Sequence, residues 1–258
     1  MNQKFFEVLT RQPIAHRGYF SNSGPFPENS LGAILEAVRL GFAVEFDVML
    51  SSDEDVVVFH DDNLVRMCGR SERVSALTSS ELSSVVLKNS SEHIPSLSKV
   101  LSAVGGKTLL VIELKSFSKT GLQTDGRLEA KVLEHLNGYS GPVALKSFNP
   151  FSVTELLRLR GAQAQWPVGF ISCDYSKDDD FAFMSNEQKQ CLSQLVGRAA
   201  PECDFISYNI KDLSEELSKK IRSQVPLMVW TVRTEEQFEK AARLADNIVF
   251  EWRGVELK

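Results

Sequence analysis

Short apolar runs alternate with amphipathic helical patterns along nearly the whole of this 258-residue chain. The runs are rich in β-branched residues and most are apolar throughout, which is typical of parallel strands covered by helices on both faces. The candidate strands are 13–17, 43–48, 56–60, 108–114, 142–148, 167–172, 204–208, 226–232 and 247–251. Such alternation over about 250 residues favours a (β/α)8 TIM barrel, an α/β fold, over an open doubly wound sheet.

Nine candidate strands are one too many for an eight-stranded barrel, and the excess lies near residue 50. Only residues 49–55 separate the second candidate from the third, which is too short for a helical crossover between parallel strands. The turn-rich stretch 51–55 either reverses the chain as a hairpin or forms an extended loop in place of a helix. Residues 61–107 carry no convincing strand pattern and are rich in serine. We therefore expect one domain over 1–258, with a small insertion at about 61–107 after the third strand.

Composition and charge argue against several classes of protein. The net charge of −5 and the isoelectric point near 5.5 disfavour a nucleic-acid partner. No apolar run approaches the roughly 18 residues of a membrane span, so no stable membrane insertion is expected. Residues 1–13 lack the apolar centre of a secretory signal. The four cysteines are scattered without a Cys-x-x-Cys pair, which favours reduced thiols and a cytoplasmic protein.

Three carboxylates interrupt two of the apolar strands. Glu45 and Asp47 are two residues apart, so their side chains point to the same face of one strand, and Glu113 lies within another. An isolated carboxylate in a strand often faces solvent or pairs with a lysine, as Lys115 could do for Glu113. Buried carboxylates that repel one another are tolerated when a cation compensates them. The three together therefore favour a site for a hard divalent cation, Mg²⁺ or Ca²⁺.

Two histidines close candidate strands beside these carboxylates. The first strand ends in His16-Arg17-Gly18, and the third ends at His60. Barrel active sites lie at the carboxyl ends of strands, and two imidazoles suit general acid–base chemistry near neutral pH. An arginine can bind a phosphate through two parallel hydrogen bonds. A lone histidine at a strand end is more often structural, so the hypothesis depends on the neighbouring carboxylates.

The order of these motifs resembles that of the glycerophosphodiester phosphodiesterase family. In that family His-Arg-Gly is followed by Pro-Glu-Asn, then Glu-x-Asp, then His-Asp; here they stand at 16–18, 27–29, 45–47 and 60–61. Further matching pieces are VSALTSSEL (74–82), IPSLSKVL (94–101), VIELK (111–115), SF (147–148) and VWTV (229–232). The resemblance implies a TIM-barrel phosphodiesterase with a small insertion after the third strand.

The resemblance also implies a role for each matching side chain. The assigned residues are the metal ligands Glu45, Asp47 and Glu113, the catalytic acid–base pair His16 and His60, the phosphate-contacting Arg17 and Lys115, and the substrate-binding Glu28 and Trp230. The metal would be one divalent cation, Mg²⁺ or Ca²⁺. Helix entry would explain Glu28 equally well, and core packing would explain Trp230 nearly as well.

The implied activity is metal-dependent hydrolysis of a small-molecule glycerophosphodiester to glycerol 3-phosphate and an alcohol, a reaction of lipid and glycerol metabolism. One alternative is lysophospholipase D-type hydrolysis of lysophospholipids, which needs an apolar groove. Another is a non-catalytic barrel that binds phosphorylated ligands, but such a chain should have lost one of the acid–base or metal residues. Two departures from the family pattern, Arg233 and residues 250–254, put the substrate rather than the catalysis in question.

Overall fold

The computed structural model describes residues 3–21, 24–116, 123–161, 165–177, 179–196 and 200–255. Nine strands and ten α-helices lie in this described part of the chain, and they divide between two compact units. The first unit comprises Ile14–Lys115 and Gly126–Val143, and the second comprises the described remainder. No helix in these described ranges combines the length and the apolar character that a bilayer span requires.

In the first unit, one long central strand positions its neighbours. Strand β2 (Ala43–Leu50) pairs in parallel with β1 (Ile14–Ala15) and with β4 (Leu110–Leu114). Strand β3 (Val56–Val58) instead pairs antiparallel with the end of β2. The hairpin alternative is therefore correct for residues 51–55, and the ninth candidate strand is this antiparallel partner of β2.

Local hydrogen bonds close the turn of the hairpin. The main-chain N–H of Ser51 donates to the carbonyl oxygen of Asp55 at 3.0 Å, and Glu54 adopts a left-handed conformation with φ of 61°. Two contacts to one helix also hold the turn from outside, an ion pair between Arg127 and Glu54 at 2.8 Å and a hydrogen bond between His135 and Asp55 at 3.0 Å. These contacts explain why the chain reverses here.

The helices of the first unit are α2 (Leu31–Arg39), α3 (Val65–Cys68), α4 (Ser79–Ser83), α5 (Leu97–Val104) and α6 (Arg127–Leu136). Helix α2 begins where the Ser30 side chain accepts a hydrogen bond from the N–H of Ala33, which satisfies one of the open donors of its first turn. The short helices α3 and α4 lie in the predicted insertion. A small apolar cluster holds them; it consists of Val57, Phe59, Leu64, Val74, Leu82, Val85, Leu87 and Ile94.

The second unit repeats the strand–helix alternation. Its strands are β5 (Val143–Ser147, whose first residue belongs to the first unit), β6 (Val168–Ser172), β7 (Phe205–Asn209), β8 (Leu227–Val232) and β9 (Asn247–Phe250). Each is parallel to the next, and all are almost entirely buried. Its helices are α1 (Gln3–Thr10), α7 (Pro150–Arg160), α8 (Asn186–Gln194), α9 (Glu215–Arg222) and α10 (Glu235–Leu244).

Candidate active site

The register of β2 and β4 brings the three predicted carboxylates together. Asp47 lies opposite Glu113 in the parallel ladder, and Glu45 lies two residues earlier on the same face of β2. All three are buried, with exposed fractions of 0% for Glu45, 1% for Asp47 and 6% for Glu113. One carboxylate oxygen from each lies within 4.8 Å of the other two. Three anionic oxygens at such separations fit a hard divalent cation such as Mg²⁺ or Ca²⁺.

The loop after β1 folds against this carboxylate cluster. The main-chain N–H of Arg17 donates to Oε2 of Glu45 at 3.1 Å, and the N–H of Gly18 donates to the main-chain oxygen of Glu45 at 3.2 Å. Nε2 of His16 lies 3.9 Å from the same carboxylate. Gly18 has φ of 83°, and a Cβ there would lie 2.6 Å from the main-chain carbon of Ala33. A glycine is therefore required at this close approach.

The Arg17 side chain lies among the carboxylates of the site. Its Nε is 3.3 Å from Oδ2 of Asp47, and its Nη1 donates to Oε1 of Glu28 at 2.7 Å. Burial lowers the pKa of Arg17, but the charges of Asp47, Glu28 and Glu45 raise it more, so the guanidinium stays charged. Burial raises the pKa of Asp47, but the neighbouring His60 and the charges of Arg17 and Lys115 lower it well below its usual range. Asp47 is therefore ionised in its buried position.

The side chain of Asn29 contacts both the side chain and the main chain of Asp47. Nδ2 of Asn29 donates to Oδ2 of Asp47 at 2.9 Å, and Oδ1 of Asn29 accepts from the main-chain N–H of Asp47 at 3.2 Å. The main-chain N–H of Asn29 donates to the carbonyl oxygen of Arg17 at 2.9 Å, with φ of 58° at Asn29. The Pro-Glu-Asn motif was recognised in the sequence, but this clamp on a metal-ligand candidate was not assigned to it.

His60 follows β3, and the next residue orients its ring. Nδ1 of His60 lies 2.7 Å from Oδ1 of Asp61. Burial raises the pKa of Asp61, but its hydrogen bonds to His60 and Arg66 lower it well below the usual range. An ionised carboxylate can only accept a hydrogen bond, so Nδ1 of His60 carries a proton. Nε2 is then the nitrogen that exchanges a proton with another group, and it lies 3.3 Å from Nζ of Lys115.

Arg66 connects Asp61, which contacts His60, to Glu28, which contacts Arg17. It donates to both oxygens of Asp61, at 2.7 Å from Nε and 2.9 Å from Nη2. It also donates to both oxygens of Glu28, at 2.9 Å from Nη1 and 2.7 Å from Nη2. Burial raises the pKa of Glu28, but the two arginines lower it more. Glu28, predicted to bind substrate, therefore pairs with two arginines in this structure.

Lys115 lies at the end of β4 beside Glu113. Its Nζ donates to Oε1 of Glu113 at 2.9 Å and lies 3.8 Å from Oδ1 of Asp47. Burial lowers the pKa of Lys115, but the charges of Glu113 and Asp47 raise it more. A charged ammonium therefore lies between the carboxylate cluster and His60.

Eight of the nine predicted site residues lie in the first unit, and Trp230 lies in the second. The indole N–H of Trp230 donates to the carbonyl oxygen of Ser207 at 3.0 Å, and its ring meets Phe148 edge-on with centroids 5.4 Å apart.

The two departures from the family pattern, Arg233 and residues 250–254, contact each other through Arg233 and Glu251. Nε of Arg233 lies 2.6 Å from Oε2 of Glu251, and Nη2 lies 2.8 Å from Oε1.

Asp61 and Arg66 are the residues of this network that the sequence did not assign. Asp61 belongs to the His-Asp motif that was recognised, so its position beside His60 could have been inferred from that motif. Arg66 follows five residues later at the start of α3, and no spacing rule connects it with Glu28, which is 38 positions away. The sequence carried no signal for this bridge.

Comparisons with known proteins agree with this fold. The chain matches the model of the glycerophosphoryl diester phosphodiesterase family over residues 16–250. A glycerophosphodiester phosphodiesterase of Caldanaerobacter subterraneus subsp. tengcongensis is 31% identical over 156 residues, which cover 57% of this chain and 61% of that relative. This chain thus spans less than two thirds of the length of that curated relative.

Solved structures of other proteins have the same fold. A phosphodiesterase of Oleispira antarctica, in complex with the product sn-glycerol-3-phosphate, has a TM-score of 0.73 at 21% identity, over 95% of each chain. A glycerophosphodiester phosphodiesterase of Thermotoga maritima has a TM-score of 0.67 at 24% identity, over 92% of this chain and 93% of that one. The (β/α)8 TIM barrel predicted from the sequence is confirmed.

Proposed function

The chain belongs to the glycerophosphoryl diester phosphodiesterase family, and from this premise we propose that it hydrolyses glycerophosphodiesters to glycerol 3-phosphate and an alcohol with the help of one divalent cation. The observation that best supports the proposal is the buried trio of Glu45, Asp47 and Glu113, with ligand oxygens within 4.8 Å of one another. The two predicted acid–base histidines, His16 and His60, belong to the same unit as this trio.

The carboxylate cluster of Glu45, Asp47 and Glu113 would hold the cation, and its oxygen ligands suit both Mg²⁺ and Ca²⁺. When bound, the cation would polarise a phosphoryl oxygen and stabilise the negative charge that develops there. Two partly buried cations of the protein lie where they could stabilise this charge. Arg17 is fixed by Asp47 and Glu28, and Lys115 is fixed by Glu113. Donors held in place before the reaction stabilise developing charge without reorganisation at the moment it forms.

The histidines would move the protons. His60 keeps a proton on Nδ1 because Asp61 accepts a hydrogen bond from that nitrogen. Its Nε2 can therefore give a proton to the departing alkoxide or take one from the nucleophile. His16, beside Glu45, would perform the complementary transfer. The nucleophile is either water or the vicinal hydroxyl of the substrate's own glycerol, which would give a cyclic phosphate that water then opens.

We also propose a cytoplasmic location for the enzyme. The four cysteines, Cys68, Cys173, Cys191 and Cys203, are free thiols. A reducing compartment maintains free thiols, so we place the enzyme in the cytoplasm. There it would act on water-soluble diesters.

A substrate panel tests the proposed function. The protein is stripped with EDTA, reloaded with Mg²⁺ or Ca²⁺, and assayed for release of glycerol 3-phosphate. The substrates are glycerophosphocholine, glycerophosphoethanolamine, glycerophosphoinositol and a lysophospholipid. We expect release from the glycerophosphodiesters, its loss on chelation and its return with one of the two cations. Turnover of the lysophospholipid alone would instead identify a lysophospholipase D, and ligand binding without turnover would identify a binding protein.

A further inference from the structure

A cavity of about 180 Å³ lies in the first unit between the loop before α2 and the predicted insertion. Its volume is that of roughly six liquid water molecules, which is enough for a small polar group. Its wall includes the polar side chains of Glu28, Arg66, Lys88 and Asn89 and the apolar side chains of Pro27 and Met67. In the proposed mechanism, none of these six residues contacts the reacting phosphate.

Two of the lining residues connect this cavity to the catalytic groups. Glu28 accepts a hydrogen bond from Nη1 of Arg17, which contacts Asp47. Arg66 donates to Asp61, which holds Nδ1 of His60. The cavity wall is therefore joined to the carboxylate cluster at one side and to His60 at the other.

Resting on the proposed function, we propose that this cavity binds the leaving alcohol and selects a polyol or anionic alcohol over one with a quaternary ammonium group. Such an alcohol would hydrogen-bond to Lys88 and Asn89. The selection would act on the part of the substrate that distinguishes one glycerophosphodiester from another.

The charges around the cavity support this selectivity. Both oxygens of Glu28 are engaged by arginines, so this carboxylate is compensated. Nζ of Lys88 donates to the carbonyl oxygens of Val65 and Arg66, each at 2.8 Å. Carbonyl oxygens leave the ammonium charge in place, and the ammonium has a third N–H donor for a ligand. A cationic head group would therefore be repelled, whereas a hydroxyl or a phosphate would gain a donor.

The apolar part of the wall also disfavours choline. Proteins that bind quaternary ammonium groups surround them with aromatic rings, which attract the cation through their π faces. No aromatic side chain occurs among the described residues that line this cavity. Its amide and ammonium donors, from Asn89 and Lys88, instead match hydroxyl oxygens.

Two substrates that differ only in the alcohol test the proposal. Glycerophosphoglycerol and glycerophosphocholine share the phosphate and the retained glycerol, so their ratio of kcat/KM isolates the leaving group. We expect the wild-type protein to prefer glycerophosphoglycerol by about tenfold. Lys88→Met should lower that preference about fivefold through KM, since an exposed charge contributes modestly and is screened by salt. Lys88→Arg should retain the preference. Lys99→Met, which removes an exposed lysine of α5, is the matched control and should change nothing.

The outcomes separate this proposal from the function on which it rests. A wild-type preference for glycerophosphocholine, or an unchanged ratio in Lys88→Met, would overturn the alcohol subsite while release of glycerol 3-phosphate still supported the phosphodiesterase. A ratio that drops equally in Lys99→Met would also overturn it, because general surface charge would then be the cause. No release from either substrate in the metal-loaded protein would overturn the phosphodiesterase, and the subsite with it.

Discussion

The carboxylate cluster (Glu45, Asp47 and Glu113) and the arginine bridge (Arg66 between Glu28 and Asp61) are held in place by different physical means. The main-chain register of two parallel strands fixes the cluster, and its three side chains are almost fully buried. Side-chain hydrogen bonds form the bridge, and the Arg66 side chain is 47% exposed.

This difference decides how each region should respond to change. A strand register cannot slip by one residue without turning every side chain to the other face, so the cluster keeps its geometry in any salt. Exposed ion pairs are screened by salt and contribute little each, so the bridge should respond in a graded, salt-dependent way. Each region also positions one histidine, because His16 lies beside Glu45 and His60 lies beside Asp61.

The largest expected effect comes from removing the histidines themselves. We expect His16→Gln and His60→Gln each to lower kcat by roughly 10²–10⁴-fold, because a positioned acid or base contributes that much. His135→Gln is the matched control, since His135 pairs with Asp55 at the hairpin turn, and it should retain kcat within about twofold. Steady-state kinetics measure the effect, and thermal melts check that the variants fold. Near-normal kcat in either site variant would remove that region from the mechanism.

Substitutions at the positioning residues compare the two regions directly. We expect Asn29→Ala and Asp61→Asn each to lower kcat/KM by about 10–100-fold, the usual cost of losing a residue that orients a ligand or an imidazole. The loss in Asn29→Ala should be the same at low and high salt, because its contacts with Asp47 are buried. Asp62→Asn, next to Asp61 and exposed, is the control. A salt-dependent loss in Asn29→Ala would contradict the contrast between the regions.

Arg66→Lys probes the bridge with its charge retained. A lysine cannot make the paired hydrogen bonds that Arg66 makes to Glu28 and Asp61, so the ring of His60 should be held less firmly. We expect kcat to fall about threefold to tenfold, with KM nearly unchanged and the deficit greater at low salt. Arg73→Lys, which loosens the exposed pair with Asp62, should leave kcat as it is. An unchanged kcat in Arg66→Lys would show that the bridge does not position His60.

The smallest effect should be on stability in acid. The pKa values of Glu28 and Asp61 are lowered in the folded protein. Their ionised forms therefore contribute stability that is present above the unfolded-state values near pH 4 and is lost as the pH falls below them. Urea titrations between pH 6 and pH 3 should give a falling free energy of unfolding, with a shallower fall in Glu28→Gln. An equal slope in the variant would show that Glu28 gains nothing from the two arginines.

The sequence predicted the parts of the site that depend on spacing within a strand. Glu45 and Asp47 share a face because residues two apart always do in a strand. The resemblance implied that Asp47 and Glu113 share one metal ion, but the register of β2 and β4 that makes them neighbours comes from the structure. The path of 51–55 was open because turn residues permit a hairpin and a loop alike. Its turn is fixed by contacts to α6, far along the chain.

The side-chain network between loops could not be predicted. Asn29 contacts Asp47 from a backbone in the left-handed conformation, and nothing in the sequence indicated that conformation. The bridge through Arg66 depends on how the insertion folds over the loop before α2. That packing is set by apolar contacts among residues that sequence periodicity did not group. The sequence therefore named the chemistry of the site and left its supporting residues unassigned.

In the proposed mechanism the carboxylate cluster binds one divalent cation on which hydrolysis depends. Calorimetric titration of the stripped protein with Mg²⁺ and with Ca²⁺, in wild type and in Asp47→Asn, measures this binding. We predict one bound ion per chain in the wild-type protein, and no binding in Asp47→Asn at concentrations that saturate the wild type. Equal binding in both proteins would contradict this mechanism, because the ion would then lie elsewhere.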